Sequence, residues 1–205
     1  MGTAPHAATA SNRGSAWRIA LVAAVWTIAV AGLGGAATEI GPWYWSLKQP
    51  AWKPPDTWFG PAWTTIFVLT AWGSARAWRA GAAGGAAASR ARRTLLGVVF
   101  VNSVLNVLWS VLFFHLRRPD WALWEWLPFW LSIGLLLACA WRLDRRAGLL
   151  LLPYLLWVTF AGALNAAVVH LNGPFGAQAA AAPFTAPFTA PFTSEAMAWT
   201  SAPLA

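Results

Sequence analysis

Apolar residues along this chain are gathered into five long runs separated by short polar stretches. A helix needs about 20 mostly apolar residues to cross roughly 30 Å of hydrocarbon. The runs at about 17–37, 60–78, 95–115, 121–141 and 148–171 all meet that length. Formal charges within them sit at the ends: Arg18, Arg76, and Glu125 near the start of the fourth. Open backbone groups are not tolerated in lipid, so the pattern predicts an all-α integral membrane protein, a bundle of five transmembrane helices. The first run follows Arg13 and Arg18 as a signal peptide would. Its apolar part of about 19 residues exceeds the usual 7–15-residue signal core, which predicts a retained helix.

Residues 17–172 therefore read as one membrane domain. Residues 1–16 and 173–205 flank it as segments expected to be disordered. The second connection, around Ala80–Ser89, is rich in Gly and Ala and reads as a flexible linker. Beyond Asn172 the run Ala-Pro-Phe-Thr occurs three times between Ala182 and Thr193. Proline at every fourth residue removes backbone donors and opposes a helix.

Composition agrees: 59% of residues are hydrophobic and 10% charged, against about 25% charged in soluble domains. The net charge of +8 would suggest nucleic acid if the basic residues formed a patch, but they lie in clusters between the runs. Counted by alternate connections, ten basic residues fall on one side of the membrane and four on the other. The positive-inside rule then puts the N-terminus inside and the C-terminus outside, in a plasma or inner membrane rather than an outer one. The charge excess is a topology signal, and no nucleic-acid partner is expected. The single cysteine, Cys139, excludes a disulfide framework and a Cys-based zinc site.

The first loop, Glu39 to Phe59, holds Pro42, Pro50, Pro54 and Pro55 among Trp43, Tyr44, Trp45, Trp52 and Trp58. Proline lowers the entropy of a loop's unfolded alternatives. A loop this rich in tryptophan is expected to fold back over the bundle as a lid, with Trp45 and Trp58 in the interfacial aromatic belt. Lys48 and Lys53 on it read as loop solubilisers.

Polar groups at membrane depth are costly unless paired or lining a cavity, so they point to a site. On the third helix Asn102, Asn106, Trp109 and Phe113 follow i, i+4, i+7, i+11 spacing and share one stripe. Two carboxamides followed by two aromatics can hold a flat ligand. They can equally bond helix to helix, and both readings stand. On the fifth helix Tyr154 and Trp157 share a face, with Asn165 about 80° round and Pro153 set to kink the helix. No span carries paired carboxylates, and no Ser-His-Asp set, HExxH pattern or phosphate loop occurs. His115 and His170 end two helices, where an interfacial role outweighs haem ligation. No metal site is expected, and nothing advertises an enzyme.

Three segments resemble the tryptophan-rich sensory protein family (TspO/MBR), whose animal members are the translocator proteins, or peripheral-type benzodiazepine receptors. They are Trp43-Tyr44 and Leu47 leading into Gln49–Pro55, Gly60 and Trp63; Asn102–Phe114; and Pro153–Asn165, closed by His170-Leu171-Asn172. The resemblance covers about residues 17–172 and implies a five-helix bundle, often a homodimer. Its members bind porphyrins, such as protoporphyrin IX or haem, and other flat hydrophobic ligands in a pocket under the first loop. Carried over by position, Trp43, Trp63, Asn102, Asn106 and Trp157 would line that pocket, with Tyr44, Trp109, Tyr154 and Asn165 added from the pattern above. Trp63 and Trp157 match two tryptophans linked to light-dependent porphyrin breakdown in bacterial members. A cholesterol motif is not supported, because no Lys or Arg follows Tyr154. No cofactor is required. The expected function is a membrane receptor or sensor for tetrapyrroles, with a porphyrin-degrading enzyme and a transporter as alternatives. The dimer face stays open: small residues crowd the first helix, whereas the family's dimer uses the third.

Overall fold

The computed structural model describes the backbone of residues 5–176 and the side chains of residues 16–176, Ala83 excepted. The Ala-Pro-Phe-Thr tail lies outside the described residues. Every regular element among them is helical: α1 (Pro5–Ala37), α2 (Pro42–Ser46), α3 (Phe59–Ala80), α4 (Ala86–Ser110), α5 (Pro119–Leu143) and α6 (Arg145–Asn172). Four stretches are long and apolar enough to cross a membrane: Ala16–Ala37, Ala86–His115, Pro119–Leu143 and Arg145–Asn172. This is an integral, multi-pass membrane protein. The expected count of five helices meets six, because the first loop contains the short α2. Helix α3 occupies the second predicted span, but Thr64, Thr65, Thr70, Ser74, Arg76 and Arg79 dilute its apolar character.

The boundaries differ where local chemistry outweighs hydropathy. Helix α1 starts at Pro5, inside the segment read as disordered, because Pro5 suits a first helical position and the alanines after it favour helix. Helix α4 starts nine residues ahead of Leu95, since Ala86–Arg93 is built of good helix formers and follows the Gly84-Gly85 break. The linker thereby shrinks to a 3₁₀ turn, Gly81–Ala83, and two glycines. Helix α4 ends in a π turn, Val111–His115, and Arg117 takes a left-handed φ of 55° before Pro119 opens α5. Prolines 128 and 153 lie inside α5 and α6, both of which continue through them.

A single residue joins α5 to α6. The Asp144 carboxylate caps α6 by accepting from the backbone N–H of Arg146 (2.8 Å) and Ala147 (3.2 Å). Its other oxygen meets Arg76 Nε at 2.8 Å, which ties the end of α3 to the turn. Hydrogen bonding to Arg76, helped by the cap amides and opposed by burial, holds this carboxyl below the ordinary aspartate range.

Around the bundle the contacts run α1, α3, α6, α5, α4 and back to α1. The core is layered along the axis. Ala77, Leu95, Leu136, Ala140 and Leu151 fill the end that carries the α5–α6 turn. Ile66, Phe129, Ile133, Tyr154 and Val158 fill the middle. Tyr44, Leu47, Phe113, Ala122 and Val168 fill the end under the first loop. Helix α1 keeps Val25, Ile28 and Leu33 exposed, as a lipid-facing helix does.

Candidate functional site

The middle layer contains a polar chain. Asn102 and Asn106 stand one turn apart on α4, and Tyr154 reaches between them from α6. Tyr154 Oη donates to Asn102 Oδ1 at 3.2 Å, and Asn106 Nδ2 donates to Tyr154 Oη at 3.3 Å. Asn102 Nδ2 donates to Ser132 Oγ at 2.9 Å, and the Ser132 hydroxyl donates to the Phe129 carbonyl at 2.7 Å. The three organising residues are 5%, 6% and 3% exposed. The asparagines thus bond α4 to α5 and α6, and both also line a cavity.

That cavity measures about 530 Å³ and lies between α1, α3 and α4. Val22, Trp26 and Val30 come from α1, Phe67 and Trp78 from α3, and Val99 and Phe100 from α4, with Asn102, Asn106 and Tyr154 as its polar wall. Trp26 Nε1 donates to Ser103 Oγ at 2.9 Å, pinning α1 against α4 along the opening. A site that is largely apolar, with a few convergent polar groups and a volume of roughly 300–1,000 Å³, is the usual form of a small-molecule pocket.

The other sequence-derived residues lie elsewhere. Trp63 meets Tyr154 edge-on at 6.2 Å, behind the polar chain. Trp157 packs between Phe59 and Phe160, each at 5.6 Å, and Trp109 stacks on Phe113 at 5.1 Å. These three tryptophans surround the middle core layer rather than line the cavity. The indole N–H groups of Trp109 and Trp157 are buried without a partner. Asn165 is fully engaged: with its amide set so that both atoms find partners, Nδ2 donates to the Pro119 carbonyl and Oδ1 accepts from Leu123 N–H, each at 3.1 Å. It holds the first turn of α5.

Trp43 and Tyr44 belong to the first loop, which folds onto the bundle end. Trp43 meets Phe113 edge-on at 6.2 Å, and Tyr44 meets Phe114 at 5.8 Å. Tyr44 Oη donates to Asp56 Oδ1 at 2.8 Å, and the Lys53 ammonium pairs with the same oxygen. Burial, then Asp56, pushes the Tyr44 hydroxyl above the ordinary tyrosine range, so it remains a donor. Burial works against ionisation of Asp56, but the Lys53 and Tyr44 hydrogen bonds prevail and hold its carboxyl low. Asn172, at the end of α6, clasps the loop: Lys48 N–H donates to its Oδ1 at 2.7 Å, and its Nδ2 donates to the Lys48 carbonyl at 2.9 Å. Trp45 and Trp58 are exposed at this end.

Three features escaped the sequence reading. The α1 wall, with Arg18 and Trp26, is one; a tryptophan amid alanines and valines was its only signal. Trp78, at the far end of the cavity, is the second. The third is the burial of Glu125, which read as an end-of-span charge but is 9% exposed on the inward stripe of α5, with both carboxyl oxygens unpaired. No group of three His, Cys, Asp or Glu side chains suited to a metal occurs among the described residues. His115 faces Glu39, with Nδ1 3.7 Å from the carboxylate, and both are exposed.

The TspO/MBR family profile matches residues 20–171. Among relatives, Protein CrtK of Rhodobacter capsulatus is 37% identical over 146 residues, 70% of this chain and 87% of the relative. The tryptophan-rich protein TspO of Archaeoglobus fulgidus is 36% identical over 75% of this chain and 95% of its own. The translocator protein of Bos taurus is 37% identical over 60% of this chain and 70% of its own. With an all-helical bundle, a clasped tryptophan-rich loop and a match across most of its length, the chain belongs to the TspO/MBR family.

Proposed function

We propose that this protein is a membrane receptor that binds porphyrins and similar flat, largely apolar ligands inside its helix bundle and relays their level to a regulatory or stress response. The observation that carries the reading is the 530 Å³ cavity with the Asn102–Tyr154–Asn106 chain as one wall. A tetrapyrrole plate gains roughly 25 cal/mol for each Å² of apolar surface withdrawn from water. Trp26, Phe67, Phe100 and Trp78 offer such surface. Carboxamides and a phenol hold polar atoms without the cost of a buried charge. The name of a relative in Cereibacter sphaeroides, tryptophan-rich sensory protein, agrees with a sensory role. In this reading α3 is the fifth span, the N-terminus lies inside and two copies pair in the membrane.

The test is titration of detergent-purified protein with protoporphyrin IX in the dark, followed by porphyrin absorbance. Saturable micromolar binding is expected, weakened about tenfold by Asn102→Leu or Tyr154→Phe, a loss of about 1.4 kcal/mol. Absence of saturable binding overturns the reading.

A second reading rests on Trp63, which lies against Tyr154 just behind the cavity wall. It makes the same pocket a light- and oxygen-dependent porphyrin-degrading centre. Illumination of the same samples separates the two. Loss of porphyrin that requires Trp63 or Trp157 favours the enzyme, and an unchanged spectrum favours the receptor.

A further inference from the structure

The proposed ligand carries carboxylates, and those need cations. Lys48 and Lys53 on the first loop are the cations that the sequence offers near the family's pocket, yet neither lines the cavity. The Lys53 ammonium is engaged by Asp56 and lies 5.5 Å from the Tyr44 ring centre. The cavity runs the other way, towards Trp78 in the last turns of α3 and Leu95 on α4, and among the described residues Arg18 is the one formally charged side chain along it. From Arg18 to Val30, α1 borders the cavity over twelve residue steps, about 18 Å of helix.

Two other cations near that end are engaged, and none of the arginines that close α3 and α5 or open α4 and α6 lines the cavity. Arg76 pairs with Asp144, and the Arg92 guanidinium stacks 3.8 Å from the Trp78 ring centre. Among the described residues no carboxylate lies within ion-pair distance of Arg18. Two further groups await a partner: the hydroxyls of Thr70 and Ser74, one turn apart on α3, border the cavity and are buried without a hydrogen bond. An exposed arginine near the start of an apolar span, as Arg18 is in Ala16–Ala37, extends its guanidinium along apolar surface. It binds carboxylates through paired, charge-assisted hydrogen bonds.

We propose, on the basis of the porphyrin reading above, that Arg18 is the anion anchor of this cavity. An apolar ligand lies along α1 with its carboxylate at Arg18 and its opposite edge at Asn106 and Tyr154. The ligand's charged end therefore points away from the first loop. Specificity follows: acids are preferred over their neutral esters, and the preference comes from α1 rather than from the lid.

The experiment compares protoporphyrin IX with its dimethyl ester on the full chain in detergent, in the dark, by porphyrin absorbance. Arg18→Gln is expected to weaken the free acid about tenfold and to leave the ester within about twofold. Retained ester binding also reports that the variant is folded. Arg18→Lys should keep most of the acid affinity, and Lys48→Gln, which leaves the loop's Lys53–Asp56 pair in place, should alter neither ligand. Added salt should weaken the acid in the wild type and not in Arg18→Gln. Equal acid affinity in wild type and Arg18→Gln, or a loss that follows Lys48→Gln, overturns the anchor while the porphyrin reading survives. Failure of the wild type to bind either compound overturns the porphyrin reading, and the anchor with it.

Discussion

Asn102, Asn106 and Tyr154 illustrate how a polar side chain persists inside a membrane protein. Each is buried and each has a partner, so its desolvation is offset. Their spacing was readable, because two asparagines one turn apart must share a helix face. That Tyr154 would stand between them was not, since the pairing depends on how α6 is rotated against α4. Asp144 supports a sharper expectation. Its carboxyl is held low, chiefly by Arg76, so its contribution is complete above the unfolded aspartate value near 3.9 and is lost as pH falls through the lower folded value. Asp144→Asn keeps a cap acceptor but loses the charged hydrogen bond to Arg76, and should cost about 1–2 kcal/mol at neutral pH. Thermal melts in detergent from pH 7 to pH 3 should show the gap to wild type closing below about pH 4. A gap of constant size would mean that the carboxylate's charge is not what matters.

At the scale of elements, hydropathy placed the spans but not their ends. The ends were decided by short-range chemistry: Pro at the first turns of α1 and α5, the Gly84-Gly85 break before α4, and the Asp144 cap. The contact between α5 and α6 depends on Gly162. A Cβ there would sit 2.2 Å from the Trp126 ring, whose Nε1 donates to the Val158 carbonyl at 2.7 Å. Gly162→Ala must displace the indole and break that bond, destabilising the bundle by about 1–3 kcal/mol. Gly134→Ala is the control, because nothing lies within 4 Å of its Cβ and alanine favours helix. Thermal shift measurements on both should move in opposite directions or separate clearly. Equal melting points would show that the Trp126 packing is dispensable.

For the whole molecule, the first loop is held at two points, by Asn172 and by the Tyr44–Asp56–Lys53 group. Asn172→Leu removes two hydrogen bonds to the Lys48 backbone. Hydrogen exchange should then quicken in residues 42–58 by about tenfold or more, with α5 and the body of α6 unchanged, since each such bond contributes about 0.5–1.5 kcal/mol. Unaltered exchange would mean that the aromatic contacts alone keep the loop down. Much of this molecule was legible in the sequence. The apolar runs marked a helical membrane protein, because lipid admits only backbone that satisfies itself. The tryptophan- and proline-rich loop, the two asparagines and the PYLLW segment marked the family. Those are local properties, carried by residue type and spacing. The tertiary structure alone decided the rest. It separated Asn102, Asn106 and Tyr154 from the tryptophans grouped with them. It spent Asn165 on the start of α5, and it opened the cavity along α1, where Arg18 had read only as a flanking charge and Trp26 had drawn no notice. A cavity is space left between helices, set by their mutual rotation and by which side chains meet, and one helix's pattern holds no record of its neighbours' faces.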